Sequence, residues 1–141
     1  MTEKGRVLIV DDNPDICILL RTNLRGCGFD AIEASNGEIA LQKIQDDAPD
    51  VVLLDLMMPV LDGWGVLESL KEQRDVPAII VVSASDATAN VERARRFGVA
   101  AYVTKPFNLQ GLVGLVEAVA RERRRSREEA TDQSPRPAPA G

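Results

Sequence analysis

Five short apolar runs punctuate the chain, and hydrophobic positions recur at helical spacing between them. Val7-Leu8-Ile9-Val10, Val51-Val52-Leu53-Leu54 and Ala78 to Val82 are continuous rather than alternating. That pattern marks strands buried on both faces, as in a parallel sheet. Phe29 to Ala34 alternates and reads as a second strand, and Ala100 to Thr104 as a fifth. A first helix is predicted from Asn13-Pro14, an N-cap residue followed by a proline suited to the first helical position. Ile16, Leu19, Leu20 and Leu24 give it an apolar stripe, and Gly26 and Gly28 end it. Ser35-Asn36-Gly37-Glu38 fits an S-x-x-E capping box before a helix carrying Ile39, Ala40, Leu41 and Ile44. A loop through Pro59, Asp62 and Gly63 leads to a helix from about Trp64 to Arg74. Asp86 to Phe97 reads as a helix stopped by Gly98. Asn108 caps a last helix, on which Leu112, Leu115, Val116 and Val119 share one face.

Strands alternating with helices through short connections predict an α/β fold, a doubly wound (βα)5 parallel sheet in the flavodoxin-like order 2-1-3-4-5. One domain is expected over residues 1–122. Residues 123–141 change character, from the run Arg123-Arg124-Arg125-Ser126-Arg127 to the Pro-rich end. They are read as a tail or linker, disordered in its Pro-rich part, with a first part able to continue the last helix as a solvated end.

Composition narrows the chemistry. The net charge of -5 and an isoelectric point near 4.8 argue against non-specific binding to nucleic acid or anionic membranes. There is neither an apolar run of membrane-spanning length nor a signal-peptide pattern, so a cytoplasmic location is expected. Cys17 and Cys27 form no CxxC, and the chain has 0 histidines, so zinc sites, redox pairs and His-based triads are not expected. Carboxylates, hydroxyls and lysine must carry any chemistry.

Those groups fall at strand ends. Asp11 and Asp12 follow the first strand, Asp55 the third, Ser83 the fourth and Lys105 the fifth. Parallel strands present their carboxyl ends on one edge of the sheet, and that edge is where ligands bind in open α/β folds. With strands 1 and 3 adjacent, three carboxylates gather. Two of them ~5 Å apart repel by roughly 3 kcal/mol at an effective dielectric of about 20. Lys105 offers one compensating charge, and a hard divalent ion, Mg²⁺ or Mn²⁺, offers two. An aspartate beside a cation and a lysine is suited to forming an aspartyl-phosphate, with Ser83 donating to a phosphoryl oxygen.

The motifs V-L-I-V-D-D-N-P, D-V-V-L-L-D-L-M-M-P-V-L-D-G, V-V-S-A-S and A-Y-V-T-K-P-F carry a family resemblance. From about Gly5 to Ala120 the chain resembles the receiver domain of bacterial two-component response regulators, CheY-like in layout. The resemblance implies that Asp55 accepts a phosphoryl group from the phosphohistidine of a sensor histidine kinase or phosphotransfer protein. It implies that Asp12, Asp55 and the backbone carbonyl of Met57 bind Mg²⁺, with Asp11 acting through water, and that Lys105 contacts the phosphoryl group. Ser83 and Tyr102 would be the switch residues, and the Lys105-Pro106 bond is often cis in such domains. The domain would be a phosphoacceptor rather than an enzyme. It would signal through helix 4, strand 5 and helix 5 to a downstream effector or output domain, as a monomer or a phosphorylation-promoted homodimer, without touching nucleic acid or membrane itself.

Two other readings use the same residues. A haloacid-dehalogenase-like phosphatase also has an aspartyl nucleophile, but it places an acid/base two residues on, where Met57 stands here. A pure interaction module would not need the five-residue set. Accumulation of phosphoprotein, rather than turnover of phosphate esters, separates these readings.

Overall fold

Among the described residues ten elements alternate as the apolar runs require: β1 (Arg6–Val10), α1 (Pro14–Gly26), β2 (Asp30–Ala34), α2 (Gly37–Asp47), β3 (Val51–Leu54), α3 (Gly63–Leu70), β4 (Ala78–Ser83), α4 (Thr88–Arg96), β5 (Ala101–Thr104) and α5 (Leu109–Asp132). The computed structural model describes residues 4–132, and the expected Pro-rich tail lies outside the described residues. The strands form one parallel sheet in the order β2-β1-β3-β4-β5. No helix among the described residues is long and apolar enough to cross a membrane.

Alternate side chains of the sheet feed two cores. Val7, Ile9, Val51, Leu53, Ile80 and Val82 pack with Cys17, Leu20 and Leu24 of α1 and Leu112, Val113 and Val116 of α5. Leu8, Val10, Val52, Leu54, Ile79 and Val81 pack on the other face with Ala40 of α2, Val66, Leu67 and Leu70 of α3, and Ala94 of α4. No residue of β3 is more than 2% exposed, which is why its sequence is apolar without alternation.

Helix ends differ from the sequence reading in instructive ways. At α1, Asn13 caps as expected, its side chain accepting from the Asp15 N–H, and Asn108 likewise accepts from the Gly111 N–H. At α2 the cap is Asn36 rather than the serine of the expected box, and its side chain accepts from the Ile39 N–H at 2.9 Å. α3 stops at Leu70, short of Arg74, because Lys71 to Asp75 are all exposed and offer no apolar position to bury. α4 begins at Thr88 rather than Asp86, without a side-chain cap. α5 runs on past residue 122 through the arginines to Asp132.

Candidate functional site

Register decides what meets at the carboxyl edge. Val10 lies opposite Leu54, so Asp11 and Asp55 leave adjacent strands side by side. Both are held by one further backbone bond each, Asp11 N–H to the Ala34 carbonyl at 3.1 Å and Asp55 N–H to the Val10 carbonyl at 2.9 Å. On the other side, Thr104 pairs with Ser83, and the Lys105 N–H donates to the Ser83 carbonyl at 2.8 Å. The Lys105 side chain can then reach back across β4 to the acids. Lys105-Pro106 is a cis peptide bond.

The Lys105 ammonium donates to Asp11 Oδ2 at 2.8 Å and to Asp55 Oδ2 at 3.2 Å. Asp11 and Asp55 are buried and Asp12 is exposed, and one carboxylate oxygen from each of the three lies within 4.8 Å of the others. The free oxygens are placed by backbone. Asp11 Oδ1 accepts from the Asn13 N–H at 2.9 Å, and Asp55 Oδ1 from the Met57 N–H at 3.2 Å. Burial pushes the Asp55 carboxyl above its ordinary pKa, opposed by the Met57 N–H and by Lys105 and reinforced by Asp11. For Lys105, burial works to lower the pKa, but the hydrogen bond and charge of Asp11, followed by Asp55, outweigh it and leave the ammonium raised.

This donor set suits a hard divalent cation: oxygen ligands only, more negative charge than one lysine balances, and an opening to solvent through Asp12. The opening is a cavity of about 530 Å³ lined by Asp12, Met57, Trp64, Ser83, Ser85 and Asn90, among others.

Ser83 is fully buried and its hydroxyl accepts from the Ser85 N–H at 3.3 Å. Tyr102 does not join the acids. Its hydroxyl donates to the Ser85 carbonyl at 2.6 Å, tying β5 to the loop that follows β4. Ser85 also accepts from the Asn90 side chain of α4 at 2.8 Å, so one serine links site loop, strand and helix.

The loop after Asp55 depends on glycine. A Cβ on Gly63 would sit 2.4 Å from the Asp55 carbonyl oxygen, and one on Gly37 the same distance from the Leu61 carbonyl oxygen. Between them Val60 holds a left-handed φ of 71°, which is strained for a β-branched residue. Sequence reading placed Gly37 and Trp64 at helix starts and Ser85 in a family motif, and assigned none of them, nor Asn90, to the site. The D-G pair at Asp62-Gly63 was the one local signal of close packing.

Known proteins match this chain closely. A family model for the "Response regulator receiver domain" matches residues 7–117. The "Probable transcriptional regulator ycf27" of Guillardia theta is 40% identical over 118 residues, covering 84% of this chain and 46% of that protein. The "Alkaline phosphatase synthesis transcriptional regulatory protein PhoP" of Bacillus subtilis (strain 168) is 37% identical over 116 residues, covering 82% and 48%. The chain spans about half the length of the curated relatives it matches. Among solved structures, the receiver domain of the Francisella response regulator 1452 superposes with a TM-score of 0.79 at 33% identity, covering 84% of this chain and 98% of that one.

Proposed function

The chain belongs to the response regulator receiver domain family, and from that premise we propose that Asp55 accepts a phosphoryl group from a histidine kinase or phosphotransfer protein. The observation that supports it best is the Lys105 ammonium bridging Asp11 and Asp55 beside a third carboxylate. A carboxylate oxygen of Asp55 bonds to phosphorus as the phosphorus–nitrogen bond to the donor imidazole breaks, and the imidazole leaves with the electron pair. Asp11, Asp12, Asp55 and the Met57 carbonyl would hold Mg²⁺, or Mn²⁺ on the same oxygens. When bound, the ion supplies positive charge to the transferring group. Lys105 then exchanges a carboxylate oxygen for a phosphoryl oxygen, and the Ser83 hydroxyl donates to another.

The domain acts as a phosphoacceptor, catalysing its own phosphorylation and slow dephosphorylation rather than turning over small substrates. Phosphorylation adds up to about two negative charges and three acceptor oxygens. Charge-assisted hydrogen bonds contribute ~1.5–3 kcal/mol each, and inverting a 1:99 equilibrium takes ~5.5 kcal/mol, so two or three bonds through Ser83 and Lys105 are enough. Ser85 passes their movement to α4 and Tyr102, which makes the α4, β5 and α5 face the readout for an effector or output domain in the cytoplasm.

The test is incubation with magnesium and acetyl phosphate, followed by intact-mass measurement, with Asp55→Asn as control. One added phosphoryl group, absent in the control, is expected. An unmodified protein, or equal modification of the control, refutes the assignment.

A further inference from the structure

After Ala120, α5 loses its apolar stripe, and Arg121 to Glu129 is polar on every face. A helix of that composition needs support from outside itself. Three arginines supply it. Arg124 donates to the Lys4 carbonyl at 2.6 Å. Arg127 reaches Asp75 at 3.2 Å and Asp50 at 3.4 Å, and Arg123 reaches Asp75 at 3.5 Å.

One of the two acids is anchored as well. Asp50 Oδ2 accepts from the Arg6 N–H at 2.9 Å, and Asp75 sits in a left-handed turn with φ 56°. The Arg123 side chain is 16% exposed, and its Nε is buried without a partner. Burial, followed by Arg127, works against charge on Arg123, and Asp75 and Asp50 work in its favour. A surface groove of about 470 Å³ is bordered by Ala78, Ala100, Val119, Arg123 and Arg127. Arg125, by contrast, pairs with Glu122 of its own helix at 2.8 Å.

We propose that Arg123, Arg124 and Arg127 form an electrostatic latch. It fastens the last turns of α5 across the amino ends of β1, β3 and β4, on the edge opposite the acidic site, and rising ionic strength releases it. Single exposed ion pairs contribute little and are screened by salt, whereas several converging on the same two acids reinforce one another.

Amide exchange on the full chain tests this. The double variant Arg123→Gln/Arg127→Gln, and separately Asp75→Asn, which keeps a residue tolerant of the left-handed backbone, should each speed exchange across residues 121–129 by roughly tenfold while sheet amides stay protected. Arg125→Gln should stay within about twofold of the parent. The unaltered chain in about 1 M salt, where the screening length is ~3 Å, should reproduce the release even if the double variant folds poorly. Protection of residues 121–129 that is indifferent to both salt and Asp75→Asn overturns the latch.

Discussion

Replacing Lys105 with methionine removes the ammonium that holds Asp11 and Asp55 together while keeping a side chain of similar reach. At an effective dielectric of about 20, unit charges 2.8 Å and 3.2 Å apart attract by roughly 6 and roughly 5 kcal/mol. Desolvation of the lysine, whose side chain is 19% exposed, offsets much of that, as does the freedom of the remaining acids to take up a proton. A net loss of about 3 kcal/mol is expected at neutral pH without magnesium, or about 10 °C in Tm for a domain of this size.

The sign of the pH dependence follows from the acids left behind. Burial already holds the Asp55 carboxyl above its ordinary pKa against the pull of Lys105, so removing the ammonium raises it further, and stability falls as pH rises from the unfolded value of about 4. The variant's deficit should therefore be small at about pH 4 and full at about pH 8. Millimolar magnesium, binding the crowded carboxylates in the folded state alone, should shrink it. Urea unfolding followed by circular dichroism at both pH values, with EDTA or with magnesium, measures all four conditions. A deficit identical in the four would show that Lys105 contributes packing rather than charge, and the electrostatic reading of the site would fall.

Other substitutions probe neighbouring links. Asp55→Asn should stabilise the magnesium-free domain by on the order of 1 kcal/mol at neutral pH, because burial holds the native carboxyl's pKa above its unfolded value. That gain should vanish on acidification, and thermal melts across pH would expose a wrong sign. Tyr102→Phe removes the hydroxyl bond to the Ser85 carbonyl and should cost about 1 kcal/mol; unaltered amide exchange over residues 85–87 would count against the tie. Gly63→Ala should lower Tm sharply, since its Cβ would press on the backbone of Asp55 and Leu56; a melt within a degree or so of the parent would contradict the close approach. Burial pushes the Cys17 thiol up to about 11, whereas Cys27 is partly exposed. Alkylation at about pH 8 should label Cys27 first and reach Cys17 only in denaturant, as peptide mapping would reveal.

Much of this molecule is written locally. The continuous run Val51 to Leu54 already implies a strand covered on both faces, Asn13-Pro14 and Asn108 announce helix starts, and the reactive residues stand at or just beyond the ends of their strands. These features depend on neighbours a few positions away, so periodicity and capping chemistry suffice to read them. Near misses are local too. Ser35 and Asn36 are both competent caps, and the φ/ψ that the chain adopts on leaving β2 gave the role to Asn36.

Tertiary structure decided the rest. Lys105 is 94 residues from Asp11 and 50 from Asp55, and only the sheet register brings its ammonium within bonding distance of both. The Ser85 hub, the glycine contacts at positions 37 and 63, and the docking of the arginine run on Asp50 and Asp75 likewise join segments that no local pattern relates. The physical reason is that hydrophobic periodicity specifies which face is buried, while side-chain meetings depend on the register and twist of strands packed from distant parts of the chain.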